Sequence, residues 1–67
     1  MDVIVNGEPR ALPEGATVAT VLAQLELPSE RGIAVALDRE VVPRGQWDRT
    51  VLGDGMRLEV VRAVQGG

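Results

Sequence analysis

Hydrophobic and polar residues alternate in short blocks along this chain, and the blocks predict several strands and one helix. The first apolar block ends at Val5 and is followed by Asn6-Gly7, a pair that readily adopts the positive φ angles of a type I′ turn. A second strand over residues 8–12 is therefore predicted to fold back on the first as a hairpin. Since strand side chains alternate between faces, Val3 and Val5 are predicted to point into the core.

A helix is predicted to begin at Thr17, a residue suited to the N-cap position. Apolar residues then recur at helical spacing over about two to three turns. They are Val18, Val21, Leu22 and Leu25. Pro28 lacks a backbone N–H and is predicted to end the helix in a loop.

A second hairpin is predicted after the helix. Residues 33–37 form an apolar run of strand length, and a turn beginning at Asp38 separates them from a short strand that ends at Val42. Residues 44–48 indicate an irregular or 3₁₀ turn, in which Trp47 covers an open end of the core.

The last strand alternates apolar and charged residues with period two, so its two faces can be assigned. Met56, Leu58 and Val60 are predicted to point inward, and Arg57, Glu59 and Val61 outward. The strand continues to Ala63, and residues 64–67 are predicted to be a mobile tail.

This order of elements predicts an α+β fold, with a mixed sheet of about four to five strands wrapped around one main helix. A single short helix covers one sheet face, so the other face is left to solvent or to a partner. Ile4, Val61 and Ala63 are predicted to lie on that open face and to bind partners. Residues 1–67 are expected to form one domain.

Composition narrows the possible chemistry. The chain contains no cysteine and no histidine, which removes thiol nucleophiles, the usual zinc ligands and the commonest general base. We therefore expect no catalytic constellation, no bound metal and no resident cofactor. The acidic net charge of −3 and the single aromatic residue argue against nucleic acid as a partner.

The sequence also indicates the cellular compartment in which the protein is expected. No apolar run approaches the roughly 18 residues that span a membrane, and the first residues lack the basic opening of a signal peptide. The lack of disulfides fits a reducing compartment. The expected location is the cytoplasm, away from membranes.

The chain ends in Gly66-Gly67, and the terminal carboxylate is the reactive group that remains. A carboxylate is a poor electrophile and must be activated, usually by ATP, before sulfur or nitrogen can attack it. Two glycines without side chains allow such an end to enter a narrow site with unusual backbone angles.

Several motifs together resemble the ThiS family, the sulfur carrier proteins of thiamine biosynthesis. The specific part is Val42-Pro43-Arg44-x-x-Trp47 combined with the terminal Gly-Gly. The resemblance extends from the Asn-Gly turn through the Val-Leu helix to Gly67. Asp38-Arg39 stands where the family often has Asn-Gly.

The resemblance implies a ubiquitin-like β-grasp fold and a carrier role. An E1-like enzyme would use ATP to adenylate the Gly67 carboxylate, and a persulfide donor would supply sulfur to form a thiocarboxylate. The carrier would deliver this sulfur to thiazole synthase for the thiazole ring of thiamine. Gln65, Gly66 and Gly67 would be the tail that threads into each partner, and the partners would supply every catalytic side chain.

Three other functions remain open. A sulfur carrier of molybdopterin synthesis uses the same chemistry, although such chains typically carry aromatic and proline residues just before the end. A ubiquitin-like modifier would join its terminus to a target protein. A β-grasp module that only binds, without covalent chemistry, would not need a free terminus.

Overall fold

A computed structural model describes residues 1–26 and 32–62. These residues form five strands, one α-helix and one 3₁₀ helix. In chain order they are β1 (Asp2–Val5), β2 (Glu8–Ala11), α1 (Val18–Gln24), β3 (Ile33–Leu37), β4 (Glu40–Val41), the 3₁₀ helix (Arg44–Gln46) and β5 (Arg57–Arg62). The predicted α+β class and element order are confirmed.

The five strands form one mixed sheet in the order β2-β1-β5-β3-β4. The first and last strands, β1 and β5, pair in parallel, whereas the other neighbours are antiparallel. β5 therefore occupies the middle of the sheet. β2, which contains Pro9, lies at an edge, where a residue without an N–H is tolerated.

Both hairpins turn through two residues with positive φ angles. Asn6 and Gly7 have φ values of 51° and 86°, and Asp38 and Arg39 have values of 48° and 75°. The signs are those of type I′ turns, whose twist matches that of the flanking strands. The Asn-Gly signal was sufficient to predict the first turn.

Helix α1 begins where its capping residue predicts. The Thr17 hydroxyl accepts a hydrogen bond from the Thr20 N–H, and the Thr20 hydroxyl accepts one from the Thr17 N–H, which makes a capping box. The helix ends at Gln24, with Leu25 as its C-cap residue. Pro28, predicted to stop the helix, lies outside the described residues.

The core lies between α1 and one face of the sheet, and it is aliphatic apart from one tryptophan. Its buried members are Val3, Val5, Leu12, Ala16, Val18, Val21, Leu22, Val35, Val42, Trp47, Leu52 and Leu58. Trp47 is 5% exposed, as expected of a side chain that closes an end of the core. Within the part of the chain that the structure describes, no helix is long and apolar enough to cross a membrane.

Three strand boundaries differ by one residue from the predictions. β4 ends at Val41, one residue before the predicted end at Val42. β2 ends at Ala11, and Leu12 beyond it is buried in the core. β5 begins at Arg57, because Met56 still belongs to the preceding turn, where its sulfur accepts a hydrogen bond from the Gly53 N–H at 3.2 Å. Residues 63–67, which include the predicted tail, lie outside the described residues.

Candidate functional site

The candidate site is the sheet face opposite α1, which we call the outward face. Along β5, Leu58 is fully buried and Val60 is half-buried, whereas Arg57, Glu59 and Val61 between and beyond them are exposed. The period-two assignment of the last strand is therefore confirmed, and the middle strand of the sheet presents these three side chains to solvent.

An apolar patch occupies one part of the outward face. On β3, Val35 points inward and is 2% exposed, so Ala34 and Ala36 point outward. Ala34 pairs with Val61, and Ala36 pairs with Val41. We call Ala34, Ala36, Val41 and Val61 the outward apolar patch.

The two valines dominate this patch. Val41 is 76% exposed and Val61 is 58% exposed, and both are among the large hydrophobic residues that the fold leaves in water. Exposed apolar side chains that gather on one face, with charges around them, are typical of a protein interaction surface.

Charged residues occupy the neighbouring part of the outward face. Asp38, Arg39, Arg57 and Glu59 line a groove beside the patch. Two hydrogen bonds hold Asp38 against Arg57 in this groove. The Asp38 N–H donates to the Arg57 carbonyl at 2.8 Å, and the Asp38 Oδ1 accepts from the Arg57 N–H at 3.0 Å. The face therefore offers an apolar contact flanked by charges of both signs.

Two of the three face residues predicted from the sequence, Ile4 and Val61, lie among the described residues. Ile4 is half-buried and pairs with Pro9 on one side and Arg57 on the other. Val61 lies toward the other end of β5, so Ile4 and Val61 share the outward face without being neighbours. Ala63 lies outside the described residues, as do Gln65, Gly66 and Gly67.

Sequence reasoning missed Ala34, Ala36 and Val41. The alanines could have been found by applying the period-two rule to β3 as it was applied to β5. Val41 could have been found from the turn, because a two-residue turn at Asp38 and Arg39 sets the register that places Val41 opposite Ala36.

The described residues present the chemistry of a binding surface. Among residues 1–26 and 32–62, no group of three or more histidine, cysteine, aspartate or glutamate side chains could hold a metal ion. The buried residues of the same ranges include none that is polar or charged. This part of the chain offers a partner two exposed valines, the exposed Ala34 and the half-buried Ala36, beside exposed ionic groups.

Sequence comparison places almost the whole chain in one family. The profile of the ThiS family matches residues 3–67. The sulfur carrier protein ThiS of Escherichia coli (strain K12) is 30% identical over 67 residues, and the match covers 100% of both chains. A thiazole synthase of Paramagnetospirillum magneticum is 34% identical over 67 residues, but the present chain spans 20% of the length of that enzyme.

Solved structures share the fold. The crystal structure of a thiamine biosynthesis protein (ThiS) from Geobacter metallireducens superposes with a TM-score of 0.84 at 30% identity, over 100% of both chains. A solution structure of a thiamine biosynthesis protein from the same organism gives a TM-score of 0.80 at 30% identity, over 88% of that chain. The expected ubiquitin-like β-grasp fold is confirmed.

Proposed function

The chain belongs to the ThiS family, and from that membership we propose that it is a sulfur carrier protein of thiamine biosynthesis that carries sulfur on the carboxylate of Gly67. The observation that carries the proposal is the match to the E. coli sulfur carrier, which runs over the full length of both chains. Such a match aligns the Gly66-Gly67 end with the end of a known carrier.

The proposed chemistry replaces one carboxylate oxygen with sulfur. The Gly67 carboxylate attacks the α-phosphorus of ATP, which forms an acyl adenylate and releases pyrophosphate. The terminal sulfur of a persulfide then attacks the acyl carbon, AMP leaves, and an acyl disulfide forms. A thiol reduces this disulfide and is itself oxidised to a disulfide, which leaves the thiocarboxylate on Gly67.

The chain itself contributes a tail and a docking surface to this reaction. An E1-like adenylating enzyme binds the ATP, so the carrier needs no cofactor of its own. A persulfide-bearing protein donates the sulfur, and thiazole synthase receives it. The match to a thiazole synthase supports the last partner, because a carrier-like segment covers 20% of that enzyme.

We assign the docking role to the outward face. Val61 belongs both to the face expected from the sequence and to the outward apolar patch, and it stands on the strand from which the chain continues toward Gly67. A partner that covers the patch therefore also contacts the strand that leads to Gly67. Charged residues around the patch orient the partner, because ionic groups at an interface rim contribute specificity more than affinity.

Mass spectrometry tests the proposed function directly. The purified chain is incubated with ATP, a matching adenylating enzyme, a persulfide donor and a reducing thiol. Conversion of the carboxylate to a thiocarboxylate raises its mass by about 16 Da, the difference between a sulfur and an oxygen atom. The matched control carries one alanine after Gly67. The added residue keeps the fold and the outward face but converts the Gly67 carboxylate into a peptide amide.

Three outcomes distinguish the functions. A gain of this mass in the wild-type chain and none in the extended control supports the carrier role. Amide-linked conjugates with other proteins, without a thiocarboxylate, would instead indicate a ubiquitin-like modifier. Partner binding that survives the extra alanine, with no covalent product from either chain, would indicate a module that only binds.

A further inference from the structure

Asn6, the first residue of the turn between β1 and β2, holds the C-terminal half of β5 with its side chain. Its Oδ1 accepts a hydrogen bond from the Val60 N–H at 2.8 Å, and its Nδ2–H donates to the Val60 carbonyl at 3.3 Å. Its own backbone N–H donates to the Leu58 carbonyl at 2.9 Å. The side-chain amide thus pairs with Val60 as a backbone amide of a neighbouring strand would.

The side chain is needed because β1 has already turned away. The parallel register between β1 and β5 runs to Val5 and Leu58, and the φ of 51° at Asn6 then directs the chain toward β2. Position 6 needs a residue that accepts a positive φ angle and that can bond both the N–H and the carbonyl of Val60, and asparagine does both. It tolerates the left-handed backbone conformation, and its amide offers a donor and an acceptor together, whereas a carboxylate only accepts.

The other hairpin holds the opposite end of β5 in a similar way. Asp38 is also the first residue of a two-residue turn, with a φ of 48°. It bonds both the N–H and the carbonyl of Arg57 through its own Oδ1 and backbone N–H. One turn residue therefore holds the start of β5, and the equivalent residue of the other turn holds the strand near its end.

We propose that Asn6 is a positioning residue for the carrier reaction. By fixing Val60, it holds in place the end of β5, the strand from which the chain continues to Gly67, and a displaced strand end should present the carboxylate less well to an activating site. β3 holds the same end of β5 on the other side, through the pairing of Ile33 with Arg62. The inference rests on the proposed function, because it concerns the delivery of Gly67.

Two glycine variants make a matched pair for testing this role. Asn6→Gly and Asp38→Gly each remove one side-chain hold on β5, and glycine accepts the positive φ angle at both positions, so both turns are kept. Asn6→Asp keeps the Oδ1 acceptor for the Val60 N–H and loses the Nδ2 donor. Urea unfolding of the three variants measures any general loss of stability.

Amide hydrogen exchange followed by NMR tests the hold itself. In Asn6→Gly, we expect exchange of the Val60 amide to accelerate about tenfold, the effect of losing hydrogen bonds of ordinary strength, while the Arg57 amide is unchanged. Asp38→Gly should show the reverse pattern. Equal exchange at Val60 in the wild type and in Asn6→Gly would overturn the proposal.

Kinetics of activation test the positioning role. With an adenylating enzyme and ATP, pyrophosphate exchange gives kcat and KM for the carrier. Asn6→Gly should lower kcat by roughly tenfold to a hundredfold, because the carboxylate is misplaced in the bound complex. KM should change by less than about twofold, since the outward face is intact.

The control variants make the kinetic result specific. The control for activity is Thr17→Ala, which removes a hydrogen bond of the helix cap away from β5 and from the outward face, and whose loss of stability is measured in the same urea experiment. Thr17→Ala should retain the wild-type kcat, and Asn6→Asp should fall between the wild type and Asn6→Gly. Equal losses of kcat in Thr17→Ala and Asn6→Gly would show that Asn6 matters only for stability and would overturn the proposal. If no adenylating enzyme activates the wild-type chain, the proposed function fails, and the exchange rate at Val60 still decides whether Asn6 holds the strand.

Discussion

Trp47 joins the segment after β4 to the core and to the helix. Its ring is buried, and its Nε1–H donates to the Val42 carbonyl at 2.9 Å. Its backbone carbonyl accepts from the Ala19 N–H at 3.0 Å. On the solvent side, the Arg44 guanidinium lies 5.9 Å from the ring centroid. The Val-Pro-Arg-x-x-Trp motif therefore closes a loop over the core, which is a structural role.

Replacing Trp47 should strongly destabilise so small a domain. Trp47→Ala removes the largest core side chain and should lower the free energy of unfolding by about 3 to 5 kcal/mol. At roughly 0.05 to 0.15 kcal/mol per residue, the whole chain has about 3 to 10 kcal/mol of stability. Urea unfolding followed by far-UV circular dichroism would measure the loss without relying on the tryptophan signal.

A second variant separates packing from hydrogen bonding at this position. Trp47→Phe keeps most of the apolar volume but removes the Nε1–H, which leaves the Val42 carbonyl without that donor. We expect a smaller loss of about 1 to 3 kcal/mol. Equal destabilisation by alanine and phenylalanine would show that the hydrogen bond, and not the packing of the ring, determines the contribution of Trp47.

At the scale of elements, the start of α1 shows how a helix of seven residues is stabilised. The first N–H groups of a helix have no partner within it. Here the Val18 N–H donates to the Thr50 carbonyl, the Ala19 N–H to the Trp47 carbonyl and the Thr20 N–H to the Thr17 hydroxyl. Each of these donors is satisfied, two of them by residues distant in the chain.

Substitutions in the capping box should therefore have moderate and coupled effects. Thr17→Ala should lower the free energy of unfolding by about 1 kcal/mol, since the cap hydroxyl is lost while the distant carbonyls still serve Val18 and Ala19. Thr17→Ser should remain close to the wild type. Because Thr17 and Thr20 bond each other, the double alanine variant should lose less than the sum of the single losses. Additive losses in thermal unfolding would contradict this reciprocal arrangement.

The elements themselves could be predicted from sequence wherever the cause is local. Asn6-Gly7 predicts the first turn, Thr17 predicts the helix start, and alternation predicts both faces of β5. The carbonyls that cap Val18 and Ala19 could not be predicted, because no local pattern links the helix start to residues 47–50. The strand order could not be predicted either. Alternation assigns a residue to one face of the sheet, but it does not show which strand lies beside which.

At the scale of the molecule, the fold separates two surfaces. The inward face is filled by α1 and the core, and the outward face carries the outward apolar patch beside a charged groove. The open face could be predicted from the sequence, because one short helix cannot cover both sides of a sheet. Locating the patch on it required the register of β3 and β4, which joins Val41 to the alanines of β3.

The docking role of the outward apolar patch can be tested with three valines that are all well exposed. Val41 and Val61 lie in the patch and are 76% and 58% exposed. Val51 is 59% exposed, but it pairs with Thr17 in an isolated bridge outside the five-stranded sheet. It is a suitable control, because it has the same side chain and nearly the same exposure as Val61 in a different setting.

Val41→Asp and Val61→Asp should each weaken binding to the adenylating enzyme and to thiazole synthase by at least about tenfold, because each places an unpaired carboxylate in a dry apolar contact. Val51→Asp should bind like the wild type, and all three variants should retain their circular dichroism spectra, since each substituted side chain is already in water. Titration calorimetry with each partner gives the affinities.

Equal weakening by the Val51 substitution would mean that added negative charge, rather than loss of the patch, controls binding. Wild-type affinity in the Val41 and Val61 variants would place the docking surface elsewhere on the molecule.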